Sequence, residues 1–129
     1  MSAQMFPRYG DTLMPPMTLD LDKDVKSDGT ITIYHAKGKL SLETVSGFVQ
    51  QLRPDESSTL VLDLSGVSFL DSAGVGALVS LFVSRRNQGR TLALAALTPQ
   101  AKAVVMVAGL QNMLPIYATV DEAAAGKKS

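Results

Sequence analysis

The sequence predicts an α/β domain in which a mixed, mostly parallel sheet of about five strands is covered by about four helices. Three observations carry that expectation. The chain opens with two alternating segments joined by Ser27-Asp28-Gly29, the chemistry of a hairpin turn. It then alternates short apolar runs with stretches of helical periodicity, the order expected of parallel strands joined by right-handed crossovers. Finally, 129 residues is one domain's worth of chain, long enough to bury about two-thirds of its unfolded surface without disulfides or metal.

In the first segment Met17, Leu19, Leu21 and Val25 alternate with polar residues; after the turn, residues 30–36 alternate Ile31 and Ile33 with Thr32 and Tyr34. From Ser41 the period becomes helical: Leu42, Val45, Phe48, Val49 and Leu52 share a face, and Pro54 ends the segment. Residues 59–64 read as a strand buried on both faces. A second helix is marked by Val75, Leu78, Val79 and Phe82, and its end by Arg85, Arg86 and Gly89. Residues 91–95 make another buried strand. Thr98 then supplies an N-cap with Pro99 in the first helical position, and Gly109 a stop. Residues 114–118 are an edge strand, because Pro115 has no N–H for an interior ladder. Thr119 and Glu122 have the spacing of a capping box, opening a short Ala-rich helix closed by Gly126.

Composition narrows the function. Lys+Arg 12 against Asp+Glu 12, with 5% aromatic residues, leaves neither the basic footprint nor the stacking platforms of a nucleic-acid binder. With Cys 0 there is no thiol nucleophile and no Cys-based zinc site. The first residues lack the basic-then-apolar order of a secretory signal, and the longest uncharged stretch, 103–120, is broken by Gly109, Gln111, Asn112 and Pro115. A cytoplasmic protein without membrane insertion is expected. Residues 1–16, with Pro7, Pro15, Pro16 and Gly10, are expected to be a flexible tail, 17–125 the folded domain, and 126–129 a disordered C-terminus.

The informative stretch is 60–81, LVLDLSGVSFLDSAGVGALVSL. A buried strand ends, a loop over 65–70 crosses the sheet edge, and a helix begins at Asp71-Ser72. Asp71 or Ser72 can cap that helix, while Gly74 and Gly76 fall in its first turns, where each costs about 1 kcal/mol relative to Ala. Two such residues serve either close packing of helix on sheet or a surface bared for a partner.

This segment resembles the signature of the STAS family, the sulfate-transporter and anti-sigma-factor-antagonist domains. The matching residues are Phe69-Leu70, then Asp71-Ser72-Ala73-Gly74-Val75-Gly76. Gly38-Lys39-Leu40, Gly89, Thr98-Pro99 and Gly109-Leu110 agree as flanking features, so the likeness spans about 17–125. The resemblance implies a non-enzymatic anti-sigma factor antagonist without cofactor. Its partner would be a kinase-type anti-sigma factor that it binds when unphosphorylated, releasing a sigma factor. It implies phosphorylation of Ser72 as the off switch, and a partner-binding surface of Phe69, Leu70, Asp71, Ser72, Ala73, Gly74 and Gly76. A weak homodimer is compatible with it. Many phosphorylated members have Asp where this chain has Ser41 and a second hydroxyl where it has Ala73, so Ser72 carries the only hydroxyl of the motif. The alternative is an unphosphorylated scaffold subunit docking a transporter ATPase or a signalling complex.

Other readings of the same residues fail on chemistry. A dinucleotide loop would need a third glycine where Val79 stands, and a P-loop would need Gly-Lys-Ser/Thr. Ser72 as a hydrolytic nucleophile needs a base, and the single histidine, His35, lies in the hairpin as a surface or half-buried strand residue. One His with scattered carboxylates makes no metal site, so no catalytic or metal residues are expected. Asp63 is expected to satisfy loop N–H groups. Arg85 and Arg86 are expected to complement the helix dipole on a solvated face or to touch a partner, and the six Met residues to fill gaps.

Overall fold

The computed structural model describes residues 18–127. The elements in chain order are β1 (Leu19–Lys26), β2 (Ile31–Leu40), α1 (Val45–Leu52), β3 (Thr59–Leu70), α2 (Ser72–Asn87), β4 (Thr91–Ala95), α3 (Pro99–Val107), β5 (Ile116–Tyr117) and α4 (Val120–Ala125). They form one sheet in the order β1-β2-β3-β4-β5. Only β1 runs antiparallel to its neighbour. The expected architecture is therefore present: a hairpin, then helix-strand units that each add one parallel strand. The expected tail and the last two residues, 128 and 129, lie outside the described residues.

The hairpin turn works as its residues dictate. Ser27, Asp28 and Gly29 all take positive φ, at 54°, 59° and 91°. Two short polar side chains and a glycine tolerate this best. Alternation then sorts the sheet. Tyr34, Leu60, Leu62, Leu64, Leu92 and Leu94 point to the face covered by α1, α2 and α3, where Phe48, Leu52, Leu78, Leu81 and Val105 complete the main core. Ile33, Val61, Ala93 and Ala95 point to the opposite face and pack on Ala123 of α4. At the C-terminal end, α4 is closed by Gly126 at φ 70°, and Lys127 N donates to Glu122 O at 3.1 Å.

Several expectations are corrected. The loop expected over 65–70 is strand: β3 continues to Leu70 because β2 extends to Leu40 beside it, pairing Lys37↔Gly66 and Leu40↔Leu70 through two register shifts. Gly38 sits in that bulged stretch at φ 119°, and a Cβ there would come within 2.2 Å of Thr18 O. Only glycine fits. Residues 41–44 form a turn before α1 begins at Val45, so Leu42 leaves the helical stripe and is 71% exposed. β5 is shorter than expected, although Pro115 still contributes its carbonyl to Leu94 N at 2.8 Å.

Arg85 is not on a solvated face; it is 3% exposed. Its guanidinium donates to the carbonyls of Thr91 (3.0 Å), Asp55 (3.0 Å) and Ser57 (2.6 Å), with Asp55 Oδ1 at 3.6 Å. It thereby ties the end of α2 to the starts of β3 and β4. Arg86 stays exposed, 5.5 Å over the Phe82 ring. Met106 and Met113 are exposed rather than gap-filling, and the other four Met residues fall in 1–17, outside the described residues.

Candidate functional site

The site is the corner where β3 passes into α2. Asp71 is the N-cap, in the extended conformation that lets its side chain fold back on the helix. Its Oδ1 accepts from Gly74 N at 2.9 Å, and its Oδ2 accepts from Leu42 N at 3.1 Å. One carboxylate therefore satisfies a free N–H of α2 and pins the β2–α1 turn against it. That turn is itself ordered by Thr44, whose hydroxyl accepts from Ser41 N and donates to Lys39 O. Ser41 is buried, with its hydroxyl donating to Glu43 at 3.0 Å.

Ser72 is the first residue of α2 and is exposed, so its hydroxyl stands at the helix N-terminus with backbone N–H groups behind it. Ala73 is half-buried. The two glycines divide. A Cβ on Gly74 would meet Leu40 O at 2.4 Å and Leu70 Cδ1 at 2.6 Å, whereas one on Gly76 would meet nothing within 4 Å. Gly74 serves close packing; Gly76 is an open, exposed position on the helix. Phe69 and Leu70 divide likewise because they are neighbours on a strand. Phe69 is 39% exposed and Leu70 is 1% exposed, a core residue beneath the surface rather than part of it. Of the seven residues expected to meet a partner, Leu70 and Gly74 are thus buried supports. Ser72, Gly76 and Phe69 are exposed, and Asp71 and Ala73 are half-buried between them.

Two contributors to the corner escape a sequence reading. Leu42 brings an exposed apolar side chain to it through the Asp71 contact, although in sequence it reads as one more residue of the α1 stripe. Gln100 of α3 holds the strand from the other side: its Oε1 accepts from Leu70 N and its Nε2 donates to Leu70 O, both at 2.9 Å. Thr98 Oγ1 adds a bond to Val67 O at 3.1 Å.

His35 has a partner, and it is not Ser72. The β2–β3 register sets it beside Asp63, and its Nδ1 donates to Asp63 Oδ2 at 2.7 Å. Asp63 Oδ1 accepts from Ser65 N at 3.0 Å, so the N–H it satisfies belongs to the continuing strand β3 rather than to the loop expected there. Burial works to raise the Asp63 carboxyl, but the hydrogen bonds from His35 and Ser65 outweigh it and hold the group below the ordinary carboxylate value. Among the described residues no three His, Cys, Asp or Glu side chains cluster to hold a metal, and no helix is long and apolar enough to cross a membrane.

A five-stranded mixed sheet with an Asp-capped helix opening on an exposed Ser defines a class of small α/β domains. The sequence matches the STAS domain family over residues 22–123, and the chain belongs to that family. Its fold is shared with an anti-sigma factor antagonist from Mycobacterium paratuberculosis (TM-score 0.76, 24% identity, covering 88% of this chain and 97% of that one). It is also shared with the anti-sigma factor antagonist SpoIIAA in its unphosphorylated form (TM-score 0.67, 18% identity, 81% and 92% covered). A sulfate transporter family protein from Wolinella succinogenes is similar too (TM-score 0.68, 20% identity, 80% and 88% covered).

Proposed function

We propose that this chain is a cytoplasmic, non-enzymatic anti-sigma factor antagonist. It docks a kinase-type anti-sigma factor through the surface around Ser72, which frees a sigma factor, and it is released when Ser72 is phosphorylated. The observation that carries this is the placement of Ser72: exposed on the first residue of α2, flanked by the exposed Phe69, Leu42 and Gly76. A kinase can reach that hydroxyl, and a bound partner would cover it. Phosphorylation adds about −1.5 to −2 charges. At a helix N-terminus that charge meets free N–H groups and the positive dipole end, so the domain stays folded. Within an interface, beside the Asp71 carboxylate, the same charge opposes docking, and ~3 kcal/mol would lower affinity about a hundredfold.

The test is incubation with ATP and a kinase-type anti-sigma factor captured from the native cell. One phosphate on the wild type, none on Ser72→Ala, and weakened binding of the phosphorylated form are expected. Ser72→Asp should weaken binding only in part, since one carboxylate lacks the charge and oxygens of phosphate. The structural likeness to a sulfate transporter family protein favours a second reading, a scaffold subunit that docks through the same corner without modification. Capture of a transporter ATPase, with Ser72 left unmodified, supports that reading instead.

A further inference from the structure

We propose that the groove between α3 and the β5–α4 corner binds a small amphipathic carboxylate, with its chain inside and its head at Lys102. The groove measures about 670 Å³, within the range of small-molecule sites, and shares no residue with the Ser72 corner. It opens at the carboxyl ends of the parallel strands β4 and β5. Ala96 makes the space: at φ 59° it turns the chain off β4 in one residue, held there by its N–H to Tyr117 O at 3.0 Å. Such a conformation in a non-glycine residue is a strained one that gathers at binding sites.

The lining sets the ligand class. Leu97, Val105, Met106, Ile116 and Ala118 give it an aliphatic wall, and Met106 is half exposed at its rim. The charged groups are Lys102 and Glu122. Lys102 is the only charged residue of α3, is exposed, and has no ion-pair partner among the described residues. It also sits near the positive end of its helix, where a cation is unfavourable until an anion joins it. Glu122 is committed to the start of α4, its Oε1 accepting from Ala118 N at 3.2 Å. An apolar wall with an unpaired lysine at one end fits an aliphatic chain carrying a carboxylate. It does not fit a nucleotide, because the groove has no glycine loop for phosphates.

The test uses octanoate and octanol as probes, titrated below micelle formation into the full ¹⁵N-labelled chain. Saturable amide shifts confined to residues 96, 106, 111 and 118 are expected with octanoate. Lys102→Glu should weaken octanoate about tenfold while leaving octanol unchanged, which isolates the charge term. Ala118→Trp should fill the groove and abolish both; should that variant not fold, Met106→Asp at the exposed rim serves the same purpose. Shifts that scatter, fail to saturate, centre on Phe69 and Ser72, or survive both substitutions would overturn the proposal. None of these outcomes depends on phosphorylation of Ser72.

Discussion

Asp71 does with one side chain what usually takes two: it caps α2 through Gly74 N and holds the β2–α1 turn through Leu42 N. Asp71→Ala should therefore cost about 1–2 kcal/mol in urea unfolding, the upper part of the range for a lost cap. Leu42 should also become more mobile, as read by the exchange rate of its amide. The glycines give the sharper comparison. Gly74→Ala forces a methyl against Leu40 O and should cost about 2 kcal/mol or more. Gly76→Ala, in open space, should stabilise by up to about 1 kcal/mol through helix propensity. Gly76→Arg should leave the melting temperature nearly unchanged and abolish partner capture. Unfolding of that variant would remove Gly76 from the proposed surface. From sequence the two glycines are indistinguishable, since both sit at the start of one helix. What separates them is which side of α2 faces Leu40, a matter of tertiary packing.

Among the elements, α2 is anchored at both ends by side chains of opposite charge, Asp71 at the start and Arg85 near the finish. Burial lowers the Arg85 pKa and Asp55 opposes that effect, so the guanidinium stays charged while donating to three backbone carbonyls. Arg85→Met would leave those carbonyls and the Asp55 carboxylate uncompensated, a loss of about 3 kcal/mol. Arg86→Met, on the exposed neighbour, should change stability by less than about 0.5 kcal/mol. Equal effects in denaturant unfolding would refute the anchoring role. The helices, their caps at Thr98 and Thr119 and the hairpin turn were legible because each is written in neighbouring residues. The burial of Arg85 was not, because its carbonyl partners at 55 and 57 are 30 and 28 residues away. The full length of β3 was hidden for the same reason. Its second half alternates too loosely to read as strand and exists because β2 lies beside it.

For the molecule as a whole, acid stability follows from its buried carboxylates. Asp55, like Asp63, is raised by burial but held below the ordinary value, by hydrogen bonds from Ser57 and Thr32 and by Arg85. A lowered carboxylate contributes stability that is fully present well above its unfolded value of about 3.9 and is lost as pH falls through the folded value. Unfolding free energy should thus be level near neutrality and decline below about pH 5, at no more than about 1.4 kcal/mol per pH unit for each proton involved. Asp63→Asn should flatten that decline in a urea series across pH 3–6, and an unchanged slope would show that the His35 pair contributes nothing. Topology was readable at this scale because one hairpin and three helix-strand repeats allow few arrangements. The groove beneath α3 was not, since it depends on a positive φ at Ala96, a residue with no preference for one.

The pairing of β3 with β4 ends at Asp63↔Ala95, yet β3 runs on to Leu70, and along that stretch the first turn of α3 stands in for the missing strand. Thr98 takes the carbonyl of Val67, and the Gln100 amide grips both backbone groups of Leu70. A side-chain amide has the same donor and acceptor as a peptide unit, so Gln100 imitates one residue of a strand. Strand pairing must unzip residue by residue, but this imitation lets go in a single rotamer change. The Leu70 amide is therefore a built-in reporter. In deuterium exchange its protection would read the free energy of releasing Gln100 from the strand that leads to Ser72, without a label on either element.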